Sequence, residues 1–186
     1  MRNSSLMAVL VVASLGAAAC SSSATMSTAS NAPSGTTGTT DVTGVQSFTG
    51  LARNHVATPV SYPQSPPVGG DHARVWQNCG VYDTQPKNEN AVHSLEHGAV
   101  WLAYRPDLPA DQVDQIRTLA RNHTHVLVSP YAGITEAVVA TAWGKQLRLD
   151  SVGDPRLGQF VAAYEEGPQT PELGVTCSGG VGSPIE

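Results

Sequence analysis

The segment from Glu89 to Tyr104, which reads ENAVHSLEHGAVWLAY, constrains the fold more than any other part of the chain. Its first half predicts a short helix that opens near Asn88 and runs through Glu96, with Gly98 as the stop signal. Its second half predicts a buried strand over Ala99 to Arg105, because this run is apolar and rich in residues that favour strands. The segment therefore joins a helix directly to a strand of the core.

Two more helices and three more strands are predicted downstream. One helix covers Pro106 to Asn122 with Pro109 at its first position, and the other is capped by Asp154 and ended by Gly167. The strands are Val126–Val128, ended by Ser129-Pro130, then Val138–Trp143, then a continuation or bend past Gly144 that includes Leu147 and Leu149. This order predicts an α+β fold in which two helices pack on one face of a small, mainly antiparallel sheet, with a ferredoxin-like topology as the leading arrangement.

A long Pro- and Gly-rich segment precedes these elements, from residue 45 to residue 86. Its prolines remove backbone donors and restrict their neighbours, so we expect an extended loop that wraps a core formed elsewhere. A loop of this length is uncommon unless it has a function or is fixed to the rest of the domain by a contact such as a disulfide. Cys79 and Cys177 are most simply a disulfide in an exported protein, and Cys79 as a thiolate ligand is the less favoured reading.

The N-terminus predicts export and lipid anchoring. Residues 1–19 combine Arg2, a short apolar run and small residues, as in a secretory signal peptide. The sequence LGAAAC resembles a bacterial lipobox, which implies that Cys20 carries a diacylglyceryl group with palmitate-type chains. The alternative is an ordinary secretory signal followed by an unrelated cysteine. Residues 20–44 then form a Ser/Thr/Gly tether, and residues 45–186 form a single globular domain.

These features place the domain at the cell membrane, anchored by lipid on the extracytoplasmic face. The formal net charge is −5, and Lys and Arg form no clusters. Nucleic acid is therefore excluded as a partner. The membrane is the predicted partner through the anchor, and the sequence names no protein partner.

Four long motifs carry a resemblance to a known family. They are HVATPVSYPQSPPVGGDH from His55, WQNCGVYD from Trp76, ENAVHSLEHGAVWLAYRP from Glu89 and VLVSPY from Val126. Together they resemble the uncharacterised family called domain of unknown function 3105, which is common among actinobacterial exported proteins. The resemblance covers residues 55–182. It implies a domain with histidines in its front half and no established activity.

The histidines of this front half are the main candidates for chemistry. His93 and His97 lie four residues apart and share one face of the predicted helix. We predict that they bind a divalent metal, with His72, and with His55 or Glu96 completing the set. Soft ligands are absent, since the cysteines are paired and no methionine follows Met26, so Cu(II) or Zn(II) is expected rather than Cu(I). Such a domain would store, sense or deliver the metal.

Two alternatives remain open from the sequence. In the first, the histidines only hydrogen-bond loop carbonyls, and the protein is a structural or partner-binding module of the cell envelope. In the second, HSLEH is the HxxEH motif of a small metallohydrolase, with Glu96 as the candidate catalytic residue. The third metal ligand would then be one of three glutamates, Glu165, Glu166 or Glu172. His123 and His125 are expected to be surface or helix-end residues.

Overall fold

A six-stranded sheet with the predicted apolar strand at its centre organises the fold. The computed structural model describes residues 42–186, so the predicted signal peptide, Cys20 and nearly all of the tether lie outside the described residues. The elements in chain order are β1 Gln46–Ser47, β2 His55–Val56, β3 His72–Ala73, β4 Gly80–Val81, α1 Asn88–Glu96, β5 Val100–Tyr104, α2 Ala110–Ala120, β6 Val126–Pro130, β7 Val138–Ala142, β8 Lys145–Leu149 and α3 Arg156–Tyr164.

The strands of the large sheet follow the order β1-β8-β7-β5-β6-β4. Three of its five neighbouring pairs are antiparallel, which confirms the predicted mainly antiparallel sheet. The β5–β6 and β6–β4 pairs are parallel. A ferredoxin-like fold has a split βαβ unit, whereas β5 and β6 are direct neighbours across α2. The ferredoxin-like topology is therefore not confirmed.

The two faces of the sheet are covered differently. Successive residues of a strand point to opposite faces, and β5 follows this rule. Val100 and Leu102 pack with apolar residues of α2 and α3, so two helices lie on one face as predicted. Trp101 and Ala103 pack against α1 on the other face. Helix α1, which carries the HSLEH sequence, thus covers the face of the sheet opposite to α2 and α3.

Most element boundaries agree with the sequence prediction to within one or two residues, but α2 begins at Ala110 rather than at Pro106, and β6 differs at its end. β6 continues through Pro130, which was predicted to end it. Pro130 is the last residue of the strand and pairs with Tyr104, where its missing N–H removes no bond that the strand needs. Pro109 and Pro155 stand just before their helices rather than at the first helical position.

The wrapping segment, residues 45–86, is held in place near both of its ends. Near its start, β2 and β3 pair in parallel as a separate two-stranded ribbon. Near its end, Cys79 and Cys177 form the predicted disulfide, with Cα atoms 5.4 Å apart. The backbone N–H of Cys79 also donates to the carbonyl of Cys177. The C-terminal tail is thereby held against the segment that carries two of the candidate histidines.

Within residues 42–186, no helix has the length and apolar character required to cross a bilayer.

Candidate metal centre

The β2–β3 ribbon brings together two histidines that are distant in sequence. His55 on β2 is the direct pairing partner of His72 on β3. Side chains of directly paired residues lie on the same side of a ribbon, and the two imidazole centroids are 4.9 Å apart. The ribbon packs against α1. The wrapping segment therefore delivers two imidazoles to the helix that carries the HSLEH sequence.

Helix α1 contributes the remaining members of the cluster. His93 lies one turn before His97, which is the C-terminal cap residue of the helix. The His93 ring centroid lies 4.8 Å from those of both His55 and His72, and 4.6 Å from that of His97. All four histidines predicted as ligands thus converge. His72, His93 and His97 are buried, and His55 is exposed.

The buried histidines are held in defined orientations by backbone carbonyls. The Nδ1–H of His72 donates to Gly70 O at 2.8 Å, and the Nδ1–H of His93 donates to Ala73 O at 2.7 Å. His97 is oriented in the same way, by a bond of 2.9 Å to a carbonyl of the C-terminal tail, that of Thr176. A carbonyl only accepts, so each Nδ1 must carry the proton. In the neutral ring, Nε2 then presents its lone pair, as in the histidine ligands of many metal sites.

Glu96 supplies a buried carboxylate to the cluster. Its side chain is 2 % exposed, and its Oε1 accepts from Nε of the half-exposed Arg53 at 2.5 Å. Its Oε2 lies 2.8 Å from Nε2 of His72. This contact does not have hydrogen-bond geometry, and Nε2 of His72 is a buried atom without a hydrogen-bond partner. With a neutral His72 and an ionised Glu96, two acceptor atoms of buried side chains face each other at short range, which suits a shared cation.

The side chains form two overlapping groups with the composition of metal sites. The first is His55, His72, His93 and Glu96, and the second is His93, His97 and Glu172. Within each group the ligand atoms lie within 4.8 Å of one another. The ligand atoms of one tetrahedral zinc ion, at bond lengths of about 2.0–2.2 Å, are about 3.3–3.6 Å apart, so the side chains of either group must close by about an ångström to bind one ion.

Glu172 is the one member of these groups that the sequence did not single out. The HxxEH pattern had left it as one of three glutamates for a third ligand, and in the structure its Oε2 lies 3.6 Å from Nε2 of His97. Arg53 links the two groups, since its Nη2 lies 3.6 Å from Oε1 of Glu172. The other two glutamates, Glu165 and Glu166, lie beside His123 and His125 instead.

Burial keeps the central histidines neutral. The pKa of His93 is lowered from 6.5 to about 4, mainly by desolvation; the hydrogen bond to Ala73 opposes this shift, and the neighbouring histidines contribute to it. Desolvation also lowers the pKa of His97. At neutral pH both rings therefore present an unprotonated nitrogen, which is the form that binds a metal.

Two tryptophans cover the cluster. The ring of Trp76 packs on His97 and His93, with centroids 4.8 Å and 5.7 Å away. Trp143 meets the His72 ring edge-on at 6.0 Å. The two tryptophans restrict water around the imidazoles, so that the exposed His55 and the half-exposed Glu172 mark the sides of the cluster nearest to solvent.

His123 and His125 take no part in either group. His123 pairs through Nδ1 with Glu165 at 2.5 Å, and His125 donates from Nε2 to the carbonyl of Val175 at 3.0 Å. Their positions at the end of α2 and the start of β6 agree with the expected structural role, although His125 is buried rather than superficial.

A comparison with protein families gives one match. The family model described as "Protein of unknown function (DUF3105)" matches residues 55–179, which include every member of both groups. No curated protein and no solved structure matches the chain.

Proposed function

Because the chain belongs to the DUF3105 family, whose function is unknown, its role must be inferred from the cluster, and we propose that the cluster binds one divalent cation. His55, His72, His93 and Glu96 would hold it, whereas His97, which the sequence analysis paired with His93 as the primary ligands, belongs to the overlapping group. Three imidazoles and a carboxylate make a four-ligand site without an obligatory open position, which is typical of sites that hold a metal.

The contact between His72 and Glu96 carries this proposal. The carbonyl of Gly70 commits the Nδ1 proton of His72, so in the neutral ring Nε2 is an acceptor, and it faces a carboxylate oxygen at 2.8 Å. A buried nitrogen acceptor without a hydrogen-bond partner, in contact with a carboxylate oxygen, costs on the order of 2 kcal/mol or more unless both atoms bind a cation. A divalent cation coordinated by both atoms removes that penalty.

The donor atoms favour Zn(II) or Cu(II). Imidazole and carboxylate are borderline to hard ligands, and thiolate and thioether ligands are lacking, because Cys79 and Cys177 are paired and all methionines precede residue 27. Affinity for such donors peaks at Cu(II) in the series of divalent metals. Zn(II) is the alternative if the site has no redox chemistry. Availability outside the cytoplasm would decide between them.

We place this activity at the cell membrane, on its extracytoplasmic face. The proposal rests on the lipobox at Cys20 and is supported by the Cys79–Cys177 disulfide, since disulfides persist in oxidising compartments. A metal-binding domain tethered there by lipid would store, sense or deliver an ion at the cell surface. The membrane is then its partner through the acyl chains.

The direct test is a metal count on the purified protein. After loading with Zn(II) or Cu(II) and removal of excess ion, we expect about one equivalent per chain. His93→Ala and His72→Ala should each lose it, whereas His123→Ala, which lies outside both groups, should retain it. Less than a tenth of an equivalent, together with no calorimetric response to either ion, would refute metal binding.

A second candidate function is a structural clasp. The Nδ1 bonds of His93 and His97 fasten the β3 segment and the C-terminal tail to α1, and the Nδ1 bond of His72 to Gly70 is local to the wrapping segment. Under this candidate, the protein would be an envelope module whose histidines only pin the wrapping segment. The metal count separates the two candidates, because a clasp requires no ion for these bonds.

A metallohydrolase is a third candidate, favoured by one observation. Glu172 completes a three-ligand set with His93 and His97, and a set of three leaves a position for water, as in catalytic zinc sites. The motif's general base would be Glu96, but its two oxygens already contact Arg53 and His72. Hydrolysis of a peptide or ester by the metal-loaded protein, lost in Glu96→Gln while the metal is retained, would support this candidate.

A further inference from the structure

The two ligand groups overlap at a single nitrogen. His93 belongs to both, and its Nδ1–H is committed to Ala73 O, so Nε2 is the only ring atom that it offers to either group. One lone pair binds one ion. The two groups are therefore alternative positions for a single ion rather than a two-ion centre, and a fully loaded protein should contain one equivalent.

The two positions differ in how many ligands the chain provides. The first group supplies four ligands, three of them buried, so the protein fills a tetrahedral set by itself. The second group supplies three, of which Glu172 is half-exposed, so one coordination position is left for a ligand from outside. The first group is suited to holding an ion and the second to exchanging it.

Arg53 connects the two positions electrostatically. Its Nε contacts Glu96 of the first group and its Nη2 approaches Glu172 of the second. One guanidinium thus compensates the carboxylate that is not bound to a cation, whichever position is used. The arginine is half-exposed, which leaves it free to adjust as the charge distribution changes.

Resting on the proposed function, we infer that His93, His97 and Glu172 form an exchange position through which a divalent cation held by the first group passes to an external acceptor. The acceptor is a ligand of nitrogen, oxygen or sulfur donors, either a small chelator or a donor side chain of a partner protein. It binds at the open coordination position before the chain's own ligands detach. Of the proposed roles of storage, sensing and delivery, this exchange position favours delivery.

Kinetics of transfer test this inference. Zn(II)-loaded protein is mixed with increasing concentrations of a chromogenic chelator, and the rate of transfer is followed by absorbance. With an exchange position, the rate rises with chelator concentration, because the chelator binds before release. Glu172→Gln removes the third ligand, so we expect unchanged stoichiometry and a rate that is lower by about tenfold and independent of chelator concentration.

Glu166→Gln is the matched control. Glu166 is exposed to a similar degree and lies 3.6 Å from a histidine nitrogen, that of His125, outside both groups. It should transfer Zn(II) at the wild-type rate. Equal rates in the Glu172→Gln variant and the wild type would overturn the inference while leaving metal binding intact. Loss of the bound equivalent in Glu172→Gln would also overturn it, because the second group would then be the holding position. Failure of the wild type to bind Zn(II) would instead refute the proposed function.

Discussion

Nε2 of His72 and Oε2 of Glu96 lie 2.8 Å apart in the buried part of the cluster without forming a hydrogen bond. With Glu96 ionised, two states make this contact favourable. Either a cation bridges the two atoms, or His72 carries a second proton and forms a buried ion pair with the carboxylate. The two states make opposite predictions for a substitution that removes the charge of Glu96 and preserves its shape.

We predict that Glu96→Gln changes the stability of the metal-free protein by less than about 1 kcal/mol. The amide N–H₂ of glutamine can donate to Nε2 of a neutral His72, which replaces an unfavourable contact with a hydrogen bond. If His72 were an imidazolium, removal of its partner would cost about 3–5 kcal/mol. Urea unfolding in the presence of a chelator measures the difference.

Arg53→Gln is the control for this experiment. Glu96→Gln also removes the ion pair with Arg53, whose side chain is half-exposed. Glu96 is 2 % exposed, so Arg53→Gln takes one partner away from a buried carboxylate, and its cost measures how much of the Glu96→Gln effect comes from this ion pair. A loss of 3 kcal/mol in Glu96→Gln with little loss in Arg53→Gln would contradict a neutral His72 in the metal-free state.

The stability of the metal-free protein should decrease as the pH falls from 6.5 to 4. Burial lowers the pKa of His93 to about 4, while the unfolded chain keeps the ordinary value of 6.5. Between these values the unfolded state binds more protons, so the contribution of His93 is fully present above pH 6.5 and is lost toward pH 4. The difference between the folded and unfolded pKa values of His93 corresponds to about 3 kcal/mol in the free energy of unfolding.

Urea unfolding at pH 7.5 and pH 4.5, with a chelator present, measures this dependence. Other groups titrate in the same range, so the informative quantity is the difference between the protein and His93→Gln. The variant lacks the titrating ring and should lose less stability between the two pH values. An identical loss in both proteins would show that His93 is not the group responsible.

The sequence predicted the centre of the fold well, because the signals there are local. β5 is buried on both faces and reads as a continuous apolar run, and the spacing of His93 and His97 follows from the helical repeat. The pairing of His55 with His72 has no such signal, since two-residue strands carry no periodicity. Their position as ligands was predicted from chemistry alone.

Glu172 shows the limit of prediction most clearly. It lies in the tail that follows α3, and its neighbour in space is a histidine at the end of α1. The tail is positioned by backbone bonds, such as that from Glu172 N to Glu96 O, and by the disulfide. Residue types and spacing contain no information about such bonds, so three glutamates remained equivalent until the fold was known.

Substitution of Cys20 tests the proposed anchor independently of the metal. Cys20 lies outside the described residues, and its lipid is a prediction from the LGAAAC sequence. Cys20→Ser should move the protein from the membrane fraction to the medium, because the thioether-linked chains supply the apolar surface that is buried in the bilayer. Membrane retention of the variant, or release of the wild type, would contradict lipid anchoring.

Removal of the disulfide should destabilise the fold and affect the two ligand groups unequally. The Cys79–Cys177 bond closes a loop with a sequence separation of 98, for which the chain-entropy model gives about 4–5 kcal/mol. We therefore expect a Cys79→Ala/Cys177→Ala variant to unfold at a markedly lower urea concentration. A loss of unfolding free energy below about 1 kcal/mol would contradict this contribution of the disulfide to the stability of the fold.

The same double variant separates the two positions of the ion. His97 is oriented by Thr176 O, next to Cys177, whereas the first group uses no residue of the tail. Under conditions where the variant is still folded, we expect about one bound equivalent of Zn(II) but slower transfer to a chelator, since His97 and Glu172 lose their fixed orientation. Loss of the bound ion with unchanged circular dichroism would show that the holding position depends on the tail.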